Sequence, residues 1–374
     1  MLRFNSNHKF KIMQIADTQE IPEVSPDTLS LINAALEREK PDLVIYTGDQ
    51  IKGYSKKFKK NPKIVEKTIE VLVEPVASRN IPFMVTYGNH DAQVGIDNIE
   101  QYKFYAKYPT FLSGNLRSKK DVGTADIQIY SHDSDRPVFG LYIIDSHGKA
   151  KDGAGYAPVE KKQIDWYVKR RDELKSENGD YLPSLVFQHI PVPEFFDVIQ
   201  KVPKRTKGAV PAYGVHENEY FVLRDETKAA GGFMLESPAS PDVNTGEFEA
   251  MSEKGDVLGI FVGHDHNNSF VVNYKGVDLG YTQGAGFNVY GPGENRGVRI
   301  FELDENSPRE YKTYTATFGE LCGTKIKTPV QEFVYTHAPT SPRAVKPILI
   351  KVGITLGIII LGYAAYKFFT GFNL

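Results

Sequence analysis

Short apolar runs alternate with helical segments in the N-terminal part of this chain, and this alternation constrains the fold more than any other feature. The apolar runs are residues 10–16, 43–47 and 81–86, each with the length of a buried strand. A helix begins after Ser25, its predicted N-cap, and a second helix covers residues 64–79. Strands and helices that alternate with short connections predict parallel βαβ units.

Polar residues directly follow each of these three predicted strands. In parallel sheets, binding sites form outside the carboxyl ends of the strands, so we expect these side chains to meet in one cleft. Gly88 lets the backbone turn sharply before the third group. The residues are Asp17 and Gln19 after the first strand, Asp49 after the second, and Asn89, His90 and Asp91 after the third.

The middle of the chain predicts an antiparallel part of the sheet. Residues 125–130 and 138–144 are two strands joined through a polar turn, and His147 follows the second of them. Residues 159–174 are amphipathic and predict a helix with Trp166 in its buried face.

Two further strands end in histidines. His189 follows the apolar run at residues 184–187, and both His264 and His266 follow the run at residues 257–262. A lone histidine is more often structural or exposed than a ligand, but so many polar strand ends are hard to assign to chance. Carboxylate, amide and imidazole groups without a thiolate favour Mn, Fe or Zn. His264 and His266 are two residues apart, so they can share one metal or diverge toward two.

Residues 201–254 are the least regular part of the chain, rich in Gly and Pro and poor in apolar periodicity. A long irregular stretch in a compact domain is often functional, and we interpret it as an insertion near the site. His216 lies within it and is interpreted as a surface histidine. Residues 270–274 and 277–281 predict a hairpin, and two later strands are expected to complete the second sheet.

Composition excludes several classes of protein. The 374 residues are 41% hydrophobic and 25% charged, which is ordinary for a globular protein. A net charge of −2 gives no indication of a broad nucleic-acid surface. Cys322 is the only cysteine, which excludes an internal disulfide and fits a reducing compartment. The polar N-terminus does not resemble a secretory signal. The basic run at residues 52–63 predicts a solvated loop, or else attracts an anionic substrate or a membrane surface.

The polar strand ends, taken together and in order, resemble the calcineurin-like metallophosphoesterase superfamily over residues 10–314. Residues 186–191 and 263–267 are most similar to its small purple-acid-phosphatase-like branch. The resemblance implies an α/β fold, a four-layer α/β/β/α sandwich of two mixed sheets, with the domain covering residues 1–327.

The resemblance also implies a dinuclear centre of two divalent metal ions, Mn, Fe or Zn. One departure is Gln19, since many members have histidine there; a neutral amide oxygen is a weaker ligand. Nothing in the sequence matches the tyrosinate ligand of true purple enzymes, so their colour is not expected. By resemblance, the first metal is held by Asp17, Gln19, Asp49 and His266, and the second by the bridging Asp49 with Asn89, His189 and His264.

The implied chemistry is hydrolysis of a phosphoric ester, most simply a monoester, by a metal-bound hydroxide. His90 is expected to contact the phosphate and serve as general acid. Asp91 either orients His90 or caps the next helix, and Asp265 either supports the histidine ligands or faces solvent. Asn89 and His147 are candidate substrate contacts. Alternatives are a phosphodiesterase, a lipid or nucleotide diphosphatase, or a non-enzymatic scaffold that uses the same fold.

The C-terminal part of the chain changes character. Residues 328–346 are rich in proline and predict a linker. Residues 347–369 are strongly apolar and predict a transmembrane helix, a buried or surface-lying helix being the alternative. The basic residues before this span predict a single-pass anchor with a cytoplasmic catalytic domain. Gly353 and Gly357 have the small-xxx-small spacing found where helices associate, which is a weak indication of a homodimer. The expected partners are therefore a phosphorylated substrate and a membrane, and no nucleic acid.

Overall fold

The computed structural model describes residues 1–151, 153, 155–323, 325–337 and 342–371. Its strands are β1 Leu2–Arg3, β2 Lys9–Ile15, β3 Leu43–Thr47, β4 Phe83–Thr86, β5 Asn115–Ser118, β6 Asp121–Tyr130, β7 Pro137–Ile144, β8 Ser184–Gln188, β9 Gln200–Lys201, β10 Val210–Pro211, β11 Tyr220–Val222, β12 Phe233–Met234, β13 Val257–Val262, β14 Asn268–Tyr274, β15 Val277–Tyr281, β16 Gly297–Asp304 and β17 Tyr311–Thr317. Its α-helices are α1 Pro26–Glu39, α2 Pro62–Ala77, α3 Asn98–Tyr105, α4 Lys161–Asn178, α5 Asp225–Ala229, α6 Glu247–Ser252, α7 Phe318–Cys322, α8 Pro329–His337 and α9 Pro342–Gly371.

The first sheet has the strand order β17-β16-β2-β3-β4. Strands β2, β3 and β4 are parallel, with Ile12 opposite Leu43 and Val44 opposite Phe83, whereas β16 runs antiparallel to β2. The predicted βαβ units are therefore confirmed. Ser25 is the N-cap of α1, and its side chain accepts a hydrogen bond from the backbone N–H of Asp27.

The second sheet has the order β1-β6-β7-β8-β13-β15-β14-β12, with β5 paired to β6. Strands β7, β8, β13 and β15 are parallel neighbours, while β6 and β7 are antiparallel, as predicted. The predicted hairpin is β14–β15. This sheet is mixed, so its parallel centre sends the ends of β8 and β13 to the same edge.

The two sheets pack face to face. Because successive residues of a strand point to opposite sides, each sheet directs one set of apolar side chains into a shared core. Ile12 and Ile45 of the first sheet share a buried apolar layer with Leu141, Leu185 and Phe261 of the second. This shared layer positions the carboxyl ends of the parallel strands of one sheet next to those of the other.

The opposite faces of the two sheets are covered by helices. Leu31 of α1 and Ile69 of α2 pack in one cluster with Val44. On the other side, α4 and α6 cover the second sheet, and Tyr167 is fully buried there. Trp166, predicted in the buried face of α4, is only partly buried, because the helix turns its neighbour Tyr167 inward.

The segment 201–254 contains short elements despite its weak periodicity. Strands β9, β10 and β11 form a small sheet of their own, and β12 pairs with β14 at the edge of the second sheet. Because β14 follows His266 directly, this pairing brings the segment beside the histidine-bearing loop.

The region predicted as a Pro-rich linker, residues 328–346, includes helix α8. Glu332 of this helix is buried and pairs with the fully buried Arg296 at 3.1 Å. The part of the predicted linker at residues 338–341 lies outside the described residues.

The predicted transmembrane helix at residues 347–369 is wrong, and with it the single-pass membrane anchor and the cytoplasmic placement inferred from it. Within the described part of the chain, no helix is long and apolar enough to cross a membrane. The apolar run lies within α9, where Lys351 and Lys367 confine the uncharged stretch to residues 352–366. At about 1.5 Å per residue this stretch covers roughly 23 Å, less than the ~30 Å of a hydrocarbon core.

Candidate metal centre

The strand ends of the two sheets meet at one buried place. Asp17 follows β2 and Asp49 follows β3, whereas His189 follows β8 in the other sheet. These three residues are nearly inaccessible to solvent, and each offers a ligand atom within 4.8 Å of the others. The sandwich thus combines two carboxylates and an imidazole in a geometry suited to a cation.

The backbone at this place is unusual, because four of the predicted ligands adopt positive φ without being glycine. The φ angles are 53° at Asp17, 35° at Gln19, 53° at Asp49 and 70° at His264. Such conformations are costly for residues with a side chain and cluster at functional sites. Next to them, a Cβ on Gly88 would lie 2.2 Å from Asp49 Oδ1, so this turn requires glycine.

Asp49 and His189 occupy the centre of the cluster. His189 Nε2 lies 3.4 Å from Asp49 Oδ2 and 3.9 Å from Asp17 Oδ1. It also lies 3.1 Å from Asn89 Oδ1 and 3.2 Å from His264 Nδ1. Asp49, Asn89, His189 and His264 therefore converge as the resemblance implied for the second metal.

Asp17 and His266 form the other side of the cluster. His266 Nε2 lies 3.3 Å from Asp17 Oδ1, and the backbone N–H of His264 donates to Asp17 Oδ2 at 2.8 Å. The Nδ1 atom of His266 donates to the carbonyl of Tyr290 at 2.8 Å, which directs Nε2 toward the carboxylate.

Two buried atoms of the cluster have no hydrogen-bond partner among the described residues. They are Asp17 Oδ1 and His264 Nε2. A buried polar atom without a partner is costly, and a carboxylate oxygen and an imidazole nitrogen left without hydrogen bonds in one cluster suit coordination to a metal ion. The ligand types present therefore fit divalent cations such as Mn, Fe or Zn.

The electrostatics of the cluster also favour positive charge. Burial lowers the pKa of His189, but the carboxylates of Asp49 and Asp17 outweigh burial and raise it to about 10. Burial opposes the charged form of Asp49, yet His189 and His90 hold its pKa below the ordinary value. Burial, followed by His189, lowers the pKa of His264, which leaves its imidazole neutral and ready to bind a metal.

Gln19 lies beside the cluster with its amide nitrogen directed inward. Its Nε2 donates to Asp49 Oδ2 at 2.9 Å and lies 3.1 Å from His266 Nε2, while Oε1 accepts a hydrogen bond from Tyr54. An amide nitrogen is not a metal ligand, so coordination by Gln19 requires the amide to turn over and present Oε1.

His90 lies at the accessible edge of the cluster. Its side chain is 25% exposed, and Nε2 is 3.9 Å from Asp49 Oδ2. The backbone N–H donates to Asp49 Oδ1 at 2.7 Å, and Nδ1 lies 2.9 Å from Gln93 Oε1. The residue that orients the ring is therefore Gln93, which the sequence did not single out.

Asp91 serves the backbone of the site. Its carboxylate accepts hydrogen bonds from the backbone N–H groups of Gly88 and Asp49 at 2.8 Å, Gln50 at 2.9 Å and Ile51 at 3.2 Å. This geometry fixes the turns that carry Asp49 and Asn89 and places the carboxylate behind the site.

Two other predicted residues lie outside the ligand cluster. His147 is directed toward α4, with Nε2 2.8 Å from Gln163 Oε1, and does not line the cavity described below. Asp265 is buried, so it does not face solvent, and its Oδ2 accepts hydrogen bonds from Tyr281 at 2.6 Å and from the Ala239 backbone at 3.0 Å.

A cavity of about 450 Å³ opens over the cluster. Asp49, His90, His264 and His266 line its floor, and residues of the segment 201–254 form much of the opposite wall. Aromatic rings that the sequence did not indicate flank the histidines. Tyr290 stacks on His266 with 4.2 Å between ring centroids, Tyr156 meets His264 edge-on at 4.5 Å, and Tyr54 meets His90 at 4.7 Å.

Several known proteins are similar to this chain. "Probable inactive purple acid phosphatase 14" of Arabidopsis thaliana is 28% identical over 80% of this chain and 77% of its own length. "Phosphatase DCR2" of Saccharomyces cerevisiae is 27% identical over 80% of this chain and 52% of its own. The structure of purple acid phosphatase PPD1 from yellow lupin matches 89% of this chain and 57% of its own, with a TM-score of 0.46 and 11% identity.

The family described as "Calcineurin-like phosphoesterase" matches residues 10–268, which include every ligand predicted above. The resemblance stated from the motifs is confirmed, and the relatives are purple-acid-phosphatase-like proteins. This chain belongs to the calcineurin-like phosphoesterase family.

Proposed function

We propose that this chain hydrolyses phosphoric esters, most simply monoesters, with two divalent metal ions. The observation that carries the proposal is the pair of unpartnered buried atoms, Asp17 Oδ1 and His264 Nε2, in the ligand cluster beneath an open cavity that His264 lines. Structural polar clusters satisfy their own hydrogen bonds, whereas a metal site leaves ligand atoms open for the ion.

The residues that would hold the ions divide into two sets around Asp49. Divalent ions bound there supply Lewis-acid activation of water and of the phosphoryl oxygens. The second set is already converged, whereas the first requires the Gln19 amide to turn. The first set is Asp17, Gln19, Asp49 and His266, and the second is Asp49, Asn89, His189 and His264.

His90 is the residue that we propose supplies the proton that the leaving group needs. Its ring is held by Gln93 through Nδ1, so Nε2 remains to face a substrate in the cavity. A protonated Nε2 donates to the ester oxygen as the bond to phosphorus breaks, a role that typically contributes about 10²–10⁴-fold in rate. Asn89 and His90 are the substrate contacts we propose, while the position of His147 gives no support to its inclusion.

A second candidate function is a metal-binding member without catalysis. Relatives whose printed names include "Probable inactive" favour it, as does the inward-facing amide nitrogen of Gln19. The relative named as a phosphatase favours catalysis, and so does the accessible His90 at the cavity edge.

Metal analysis and turnover on one preparation distinguish the two candidates. We expect chelated protein to lose hydrolysis of a simple monoester such as phenyl phosphate, and added Mn to restore it. His264→Ala should lower both metal content and turnover, while His132→Ala, remote from the cluster, should change neither. Stoichiometric metal without turnover on monoesters, diesters or diphosphates would establish the non-catalytic candidate.

A further inference from the structure

The outer wall of the cavity has a composition that selects among phosphate compounds. Phe196, Tyr213 and Leu235 line it, and Phe196 stacks on His216 with 3.9 Å between ring centroids. Among the described residues that line the cavity there is no lysine or arginine. Planar apolar groups are therefore favoured on this wall, and additional anionic groups are not.

The charged residues near the wall strengthen this selection. Asp242 lines the cavity and adds an acidic side chain, and Glu236, which also lines it, accepts hydrogen bonds from the Asn267 backbone at 2.8 Å and from Tyr290 at 3.1 Å. The basic run at residues 52–63 does not compensate, because none of its lysines is among the described residues that line the cavity, and Lys52 donates to the carbonyl of Asn288 at 2.8 Å. A second phosphate or a carboxylate on the substrate would meet the acidic side chain of Asp242 on this wall, where no lysine or arginine is among the described lining residues.

The wall is fixed relative to the metal ligands. The backbone N–H of Leu235 donates to the carbonyl of Asn267 and to Asn268 Oδ1, both at 3.1 Å. Asn267 directly follows His266, so these hydrogen bonds tie the backbone of Leu235 to the loop that carries His266. The Leu235 side chain is 62% exposed and therefore accessible to a ligand in the cavity.

We propose that the cavity takes phosphomonoesters whose leaving group is aromatic and carries no further anionic group. This inference rests on the proposed hydrolase function for turnover. The phosphate would lie at the floor beside His90, and the ring would lie against the wall that contains Phe196, Tyr213 and Leu235. A cavity of about 450 Å³ is larger than a phosphate alone needs, and the ring occupies the remainder.

Hydrolysis of such an ester is balanced with water as the only co-reactant. The bond between phosphorus and the aryl oxygen breaks, and a bond forms between phosphorus and the oxygen of water. One proton from water reaches the aryl oxygen, which leaves as a phenol, and the products are the phenol and hydrogen phosphate.

The first test measures binding without turnover. Phenylphosphonate and methylphosphonate share the same anionic head and cannot be hydrolysed at an ester oxygen. Calorimetric titration of the Mn-loaded full chain should give roughly five- to tenfold tighter binding of phenylphosphonate, the gain expected for aromatic contacts. Equal affinities, or no binding of either compound, would overturn the proposal.

The second test places a cation in the wall. Leu235→Arg should reduce the preference for phenylphosphonate to about twofold or less and tighten pyrophosphate binding roughly threefold or more. Val215→Arg is the matched control, because Val215 is 67% exposed in the same segment but does not line the cavity. If both variants shift the affinities equally, the effect is one of net charge and the subsite is refuted.

Turnover then separates this inference from the proposed function. Active protein should hydrolyse phenyl phosphate with a kcat/KM at least fivefold above that for pyrophosphate, and the reverse order would overturn the subsite. A retained preference for phenylphosphonate in a protein that hydrolyses no ester would leave the subsite standing and refute the hydrolase.

Discussion

Replacement of Asp91 distinguishes a structural carboxylate from a catalytic one. The side chain is 1% exposed and accepts four backbone hydrogen bonds. Asp91→Ala removes all four acceptor contacts at once and leaves the donors buried. At about 1 kcal/mol for each hydrogen bond lost, we expect the free energy of unfolding to fall by about 4 kcal/mol.

Asp91→Asn keeps the shape and one oxygen, but its NH₂ group faces backbone donors that it cannot satisfy. We therefore expect about half of the alanine effect, roughly 2 kcal/mol. The matched control is Asp97→Ala, since Asp97 is an exposed N-cap that accepts one backbone N–H, from Glu100 at 2.8 Å. Its cost should be about 1 kcal/mol.

Urea denaturation of metal-free protein is the assay, because bound metal would add its own stabilisation to every variant. Metal content and turnover are measured on the same preparations. If Asp91→Asn unfolds at the wild-type urea concentration but has lost turnover with full metal content, Asp91 acts on His90 and the structural interpretation is refuted.

Three further predictions concern the metal ligands and His90. His90→Ala should leave metal content unchanged and lower turnover about 10²-fold or more, whereas His264→Ala should lower metal content; equal metal loss in both variants would contradict these roles. Gln19→His should tighten metal binding in a Zn titration, because imidazole is a stronger ligand than an amide oxygen, and unchanged metal content in Gln19→Ala would show that Gln19 does not coordinate. The pKa of His189 is raised to about 10, so without metal this histidine is protonated at pH 7. Mn binding near pH 7 should therefore release a proton, and the affinity for Mn should increase as pH rises. Calorimetry in buffers of different ionisation enthalpy measures the proton release, and its absence would contradict the raised pKa.

The sequence predicted the βαβ units and the converging strand ends from local patterns, whereas the four-layer sandwich was implied by the resemblance to the family. The periodicity of apolar residues identifies strands, and the topology of parallel strands then brings Asp17 and Asp49 to one edge of the first sheet, where the packing of the second sheet adds His189. Side-chain roles were less predictable. Asp91 and His147 stand at strand ends like the ligands, and only the three-dimensional structure shows that one binds backbone N–H groups and the other binds Gln163.

The aromatic residues around the histidines had no local signal. Tyr54 lies in a basic run, Tyr156 in a Gly-rich loop and Tyr290 near a Gly-Pro turn, and none of these segments has the period of a helix or strand. Their contacts join residues far apart in the chain, such as Tyr290 and His266. The C-terminal prediction failed for a related reason, since hydrophobicity alone does not measure whether the uncharged stretch of a helix is long enough to span a bilayer.

The positive φ angles at Asp17, Asp49 and His264 connect the local backbone conformation with the three-dimensional arrangement of the site. Glycine would adopt those angles at lower cost, so stability alone does not explain carboxylate and imidazole side chains at these positions. At Asp49 the cost is offset by the hydrogen bonds that Asp91 accepts from the surrounding backbone, and at His264 by the hydrogen bond from its backbone N–H to Asp17 Oδ2. The fold therefore holds ligand-bearing turns in a conformation that local preference opposes, and the orientation of their side chains toward a common point follows from that constraint.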